Sequence, residues 1–99
     1  MSFSSDISTV RVAATGTAIN GRTRLAGVYF VATDTAGSIV LRTGGATGPI
    51  RLQLDTPALA QSLDLIIPDN GVLCEDGMHA TLTNVTSLTV LFVGGAAAA

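Results

Sequence analysis

Arg22-Thr23-Arg24-Leu25-Ala26-Gly27-Val28-Tyr29-Phe30-Val31, running on to Thr33, is the stretch that decides the fold class. It concentrates Val, Tyr, Phe and Thr, the β-branched and aromatic residues that fit a pleated, half-buried surface. Its two Arg are two positions apart, so they share one face of a strand. Gly27 interrupts the run and marks a bulge or the close approach of another backbone. Asn20-Gly21 precedes it, a turn signal because both residues accept positive φ. Asp34-Thr35-Ala36-Gly37 follows it as a second turn.

Outward from this stretch the same style repeats. Thr9 to Ala14 alternates polar and apolar, as a half-buried strand does. Ser38 to Thr43 is a strand, Gly44-Gly45-Ala46-Thr47-Gly48-Pro49 a flexible hairpin loop, and Ile50 to Leu54 alternates with period two. Thr56 to Ser62 has Pro57 where a helix would open, but the segment is too short for a stable helix. Leu63 to Ile67 ends at Pro68, Asp69-Asn70-Gly71 turns the chain, and Val72-Leu73-Cys74 is a short strand before Glu75-Asp76-Gly77. Met78 to Asn84 and Ser87 to Val93 read as a final hairpin across Asn84-Val85-Thr86. About eight short strands without a long helix predict an all-β fold, an antiparallel β-sandwich or jelly-roll-like single domain. Residues 1–7 read as an N-terminal arm with Phe3 a candidate anchor, 8–93 as the β-sandwich domain, and 94–99 as a flexible small-residue C-terminal tail.

Charge is scarce. Of 99 residues, five are Arg, seven are Asp or Glu, and Lys is absent, so 12% of the chain is charged. A soluble domain ordinarily carries roughly 25%. With 47% apolar residues and few strongly hydrated groups, the surface suits a subunit packed against copies of itself or against a larger shell. Five Arg offer no basic stripe for nucleic acid. No apolar run is long enough to span a membrane as a helix. The start Met1-Ser2-Phe3-Ser4-Ser5-Asp6 lacks the basic and apolar regions of a signal peptide. The single Cys74 excludes an internal disulfide.

The chemistry-bearing residues read as structural. His79 is the only histidine and falls on the polar face of the alternating run Met78-His79-Ala80-Thr81-Leu82. A general base or metal site built on it would need partners. Cys74 reads as a small core residue, since no second histidine is present to activate it. Asp69, Glu75 and Asp76 gather near one short strand, where turn chemistry explains them more simply than a cation site does. Asp55 and Asp64 flank turns. The glycine loop 44–48 lacks the Lys and Ser/Thr that complete a phosphate cradle, and Asn84-Val85-Thr86 matches the glycosylation pattern but reads as a turn. Of Arg11, Arg22, Arg24, Arg42 and Arg51, four precede or interrupt apolar alternation and so mark polar faces. Arg22 and Arg24 are candidates for ion pairs with acidic groups of a neighbouring subunit. No nucleophile, base and orienting group form a set, so catalytic, cofactor and metal sites are all expected to be absent.

Two blocks carry a resemblance. One is Arg24-Leu25-Ala26-Gly27-Val28-Tyr29-Phe30 with Thr35-Ala36-Gly37-Ser38-Ile39-Val40-Leu41 and Gly44-Gly45. The other is Ile66-Ile67-Pro68-Asp69-Asn70-Gly71-Val72-Leu73 with His79-Ala80-Thr81-Leu82-Thr83-Asn84-Val85. Together, over residues 22–93, they resemble small β-rich virion structural proteins of tailed bacteriophages. The resemblance implies a virion location and many copies, and it offers no catalytic residues. Joined to the composition, it leads to a capsid decoration (cement) protein, a homotrimer contacting the major capsid protein or other virion subunits. The alternative is a tail, neck or fibre-associated component that adheres to a host glycan. Exposed aromatic residues would favour it, and Tyr29, Phe30 and Phe92 are read as lying in strand cores.

Overall fold

The computed structural model describes residues 7–68 and 71–98, so the expected N-terminal arm lies outside the described residues except for Ile7. The strands are β1 (Ser8–Val12), β2 (Gly16–Asn20), β3 (Thr23–Ala32), β4 (Gly37–Arg42), β5 (Ile50–Thr56), β6 (Ser62–Ile66), β7 (Val72–Cys74), β8 (Met78–Thr83), β9 (Val85–Val93) and β10 (Ala96–Ala97). Among the described residues there is no helix, and the segment opened by Pro57 is a bend.

The strands pair like one long antiparallel hairpin. β4 and β5 close it. Moving away from that turn along both arms, β3 takes β6 and β7, β2 takes β8, and β1 takes β9. The hairpin is folded over so that β9 also lies along β3 and β8 along β4. Two five-stranded antiparallel sheets result. The first runs β1-β9-β3-β6, with β7 also on β3, and the second runs β10-β2-β8-β4-β5.

Period-two burial explains how the sheets face each other. Leu25, Val28 and Phe30 of β3 and Leu88, Val90 and Phe92 of β9 are buried from the first sheet; Ile39, Leu41, Met78 and Ala80 are buried from the second. They form one apolar cluster, which makes the arrangement sandwich-like. Each large aliphatic side chain buried there contributes about 1.5–3 kcal/mol. The core is thus built of aliphatic residues, and Phe30 and Phe92 lie in it as their sequence context indicates.

Three expectations are corrected. First, β8 and β9 are not a hairpin: β8 belongs to the second sheet and β9 to the first. The 10-residue β3 gives the 9-residue β9 a longer ladder than the 6-residue β8 would. The chain crosses between sheets at Asn84, whose φ is 54°. Asn20-Gly21 likewise turns from β2 in one sheet to β3 in the other, with Gly21 at φ 83°. Second, Gly16–Asn20 is a strand, one more than the pattern suggested. Third, the expected tail is paired over part of its described length. Gly94 and Gly95 turn the chain at positive φ, and Ala96 and Ala97 then pair with Asn20 and Ile19.

Gly27 satisfies both of its sequence readings. The β3–β9 register shifts between Leu25 and Gly27, which is the bulge. A Cβ at Gly27 would also stand 2.9 Å from the carbonyl oxygen of Leu65 on β6, which is the close approach.

Candidate functional site

Residues opposite one another in an antiparallel pair share a face, so the registers define the two exteriors. Across the second sheet they give the rows Thr17–His79–Arg42–Ile50, Thr81–Val40–Gln53 and Thr83–Ser38–Asp55. This exterior is mostly polar, with Arg42 and Asp55 as the charged members of these rows and Ile50 exposed among them. At one end it opens into a cleft of about 220 Å³ whose side chains include Thr17, Asn20, Asp76 and His79, with Gly21, Gly44, Gly45 and Gly77 completing the walls. His79 therefore sits on the polar face, as its alternation indicates. Its Nδ1 is buried and has no hydrogen-bond partner among the described residues. Its neighbour Arg42 is engaged elsewhere, donating from Nη1 to the carbonyl oxygen of Gly48 at 3.0 Å.

The glycine loop is a hairpin loop, tied down at several points. The N–H of Thr43 donates to Pro49 O, that of Gly48 to Gly45 O, and that of Gly44 to Asp76 O, each at 3.1 Å. The Asp76 N–H returns a bond to Thr43 Oγ1 at 2.8 Å. These amides face protein carbonyls and so are not displayed to an anion in the manner of a phosphate loop.

Glu75 and Arg51 form the ion pair that sequence reading missed. Arg51 Nη2 donates to both carboxylate oxygens of Glu75, at 2.9 and 2.6 Å. These hydrogen bonds from Arg51 hold the Glu75 carboxyl below its ordinary range. The two residues lie 24 apart in the chain and become neighbours through long-range folding, which no local pattern announces. Among the described residues no three His, Cys, Asp or Glu side chains gather closely enough to hold a metal ion. Asp69 lies outside the described residues.

Cys74 is fully buried, and its burial pushes the thiol above its ordinary pKa; the Glu75 charge adds to this and Arg51 opposes it. It faces the core from the first sheet while His79 faces outward from the second, so the geometry does not join them as nucleophile and base. Asn84 of the glycosylation-like triplet is a turn residue whose Nδ2 donates to Ala36 O at 3.0 Å.

The first sheet has a different exterior. Its rows are Thr9–Leu91–Gly27–Ile66, Arg11–Thr89–Tyr29–Asp64 and Ser87–Val31–Ser62. Tyr29 is thus corrected from core to surface: Val28 and Phe30 point inward, and Tyr29 between them is 45% exposed. The period-two alternation already carries that signal. Arg24 is half-buried on the same exterior, at the opposite end of β3 from Val31. Comparisons with protein-family profiles, curated proteins and solved structures find no match to this chain.

Proposed function

We propose that this chain is a structural part of a tailed-bacteriophage virion, a capsid decoration (cement) protein without enzymatic activity. The observation that carries the reading is the rolled hairpin. If β6 and β7 are counted as one strand and the two-residue β10 is set aside, eight strands pair first with last, and so on inward, and split into two sheets. That order supports a jelly-roll-like sandwich, an architecture recurrent in viral capsid and lectin domains. The step from architecture to role is an analogy of fold. The thinly charged exteriors give it physical support, because few ions must be desolvated when the subunit docks.

In this role the partners are the major capsid protein or other virion subunits, together with further copies of the chain. A specific contact buries about 800 Å² per partner. At about 25 cal/mol per Å² of apolar area, such burial exceeds association costs only when contacts are well matched. Bridging two neighbours on a lattice adds avidity without new contacts. The test compares particles with and without the protein under thermal and osmotic challenge and counts copies per particle. Hundreds of copies and earlier shell rupture in their absence are expected. Unchanged rupture, or a dozen copies at one vertex, would overturn the reading. Exposed Tyr29 favours one alternative, a tail, neck or fibre-associated part whose aromatic ring stacks on a host glycan. Loss of host adsorption on Tyr29→Ala, with intact shells, would select it.

A further inference from the structure

β6 ends the first sheet, and among the described residues nothing pairs with its outer edge. An open edge strand is a template for another strand unless something blunts it. The other edges are short, as in the three-residue β7 and the two-residue β10, or carry an arginine. β10 covers part of β2. β5 carries Arg51 and Asp55, and its register with β4 is shifted between Leu41 and Arg42. β1 carries Arg11. β6, with the sequence Ser-Leu-Asp-Leu-Ile, carries one charge, Asp64, but no basic residue and no proline, and its register on β3 is unbroken. Among the described residues, four of the six exposed large apolar side chains lie on β6, on its neighbour β3 or in the segment leading to it: Leu65, Ile66, Tyr29 and Leu59.

The hydrogen bonds show what the edge offers. Gln61 O accepts the Ala32 N–H, and the Ile67 N–H donates to Ala26 O, both at 2.9 Å. Hydrogen-bonded pairs alternate along an antiparallel ladder. Leu63 and Leu65 therefore turn their backbone groups toward β3, while Ser62, Asp64 and Ile66 turn theirs outward. We propose that this edge pairs antiparallel with β6 of a second copy across a two-fold axis at Leu65, joining the two first sheets into one. In that register Asp64 lies opposite the partner's Ile66 on the outer face, and each such pair exchanges both N–H···O bonds. Leu65 meets the partner's Leu65 on the core side, flanked by Leu63 against the partner's Ile67. Pro68, which has no N–H, falls opposite the partner's Ser62 and ends the ladder. An axis at Asp64 would instead set two carboxylates directly opposite each other, which is destabilising. The contact is isologous and closes at two copies, in place of the trimer suggested by the phage resemblance. It does not depend on the virion reading.

Sedimentation equilibrium from about 1 to 100 μM brackets the affinity of such a contact. The wild-type chain should approach twice its 10.0 kDa mass across this range, and Ile66→Lys should remain at the single mass with an unchanged circular dichroism spectrum. Under mild oxidation Leu65→Cys should cross-link to itself, because directly opposed non-hydrogen-bonded residues lie about 4.5 Å apart at Cα, within disulfide reach. Asp64→Cys, opposite the partner's Ile66, should cross-link far less. A wild-type monomer at 100 μM, a threefold mass, a dimeric Ile66→Lys variant or equal cross-linking of the two cysteine variants would each overturn the contact. A confirmed dimer that leaves shell stability unchanged would instead sink the virion role and spare the contact.

Discussion

Asn84 is the residue on which the crossover from β8 to β9 turns, and replacing it separates two energies. Its φ of 54° places it in the left-handed region. Its side chain donates to Ala36 O at 3.0 Å. Asn84→Ala keeps a Cβ in that conformation without the local hydrogen bonding that helps Asn occupy it, at about 1–2 kcal/mol. It also removes an exposed hydrogen bond worth about 0.5–1.5 kcal/mol. The sum is about 2 kcal/mol, which lowers Tm by about 8–15 °C in a domain of this size. Asn84→Gly loses the same hydrogen bond but relieves the backbone, so it should be more stable than the Ala variant by about 1 kcal/mol. Urea unfolding followed by circular dichroism measures both. Equal destabilisation by Ala and Gly, or a Gly variant below Ala, would refute the backbone argument. An Ala variant within about 0.5 kcal/mol of wild type would refute both parts.

The remaining predictions concern packing and the buried thiol. A Cβ at Gly37 would fall 1.8 Å from Thr83 O, a backbone atom that cannot swing aside, so Gly37→Ala should cost about 3 kcal/mol in denaturant unfolding. A loss below about 1 kcal/mol would mean the β4–β8 crossing is looser than this. Leu41→Ala, at a fully buried site, should cost about 2–5 kcal/mol in the same assay, and a near-neutral result would contradict its place in the shared core. Cys74 has a raised pKa in the fold, so its contribution is complete below the ordinary value of 9.0 and is lost as pH rises through the folded value. The stability advantage of wild type over Cys74→Ala should therefore hold at neutral pH and shrink as pH rises above the ordinary value of 9.0, and a constant difference would show that the thiol ionises as freely as in the unfolded chain.

The strands from Thr23 onward were legible because alternating apolar residues are written locally, but the facing of Tyr29, outward between the buried Val28 and Phe30, was misread from its aromatic character. Which strand pairs with which was not. Asn20-Gly21 and Asn84 are true turns, but each carries the chain from one sheet to the other, and a turn signal does not say whether its flanking strands will pair. β2 escaped notice because Gly-Thr-Ala-Ile-Asn has one large apolar residue, and its register on β8 shifts between Thr17 and Ile19. β10 escaped because Ala-Ala carries no strand preference; its pairing is imposed by the free edge of β2. The placement of His79 followed from alternation and that of Cys74 from the lack of a second histidine to activate it, whereas the Arg51–Glu75 pair and the bond between Thr43 and Asp76 exist only after long-range folding.

Threonine hydroxyls bear on how so thinly charged a chain holds its fold together and what its surface offers to water. Thr23 Oγ1 donates to Val93 O at 3.2 Å, Thr33 Oγ1 to Asn84 O at 3.0 Å, and Thr56 and Thr43 accept the N–H groups of Gly37 and Asp76 at 2.9 and 2.8 Å. Thr15 Oγ1 accepts the Leu82 N–H at 3.0 Å. These bonds fasten strand ends and turns, each contributing about 0.5–1.5 kcal/mol without burying a charge. Thr23, Thr43 and Thr56 are buried, so their hydroxyls serve the fold and offer nothing to bulk water. The exterior is consequently less hydrated than a count of polar residues suggests. On the first sheet this leaves Tyr29, Leu65 and Ile66 beside an edge strand with one carboxylate. In the proposed contact, the outward backbone groups of Ser62, Asp64 and Ile66 would exchange water for strand-to-strand hydrogen bonds, and the apolar Leu65 and Ile66 would be covered with them.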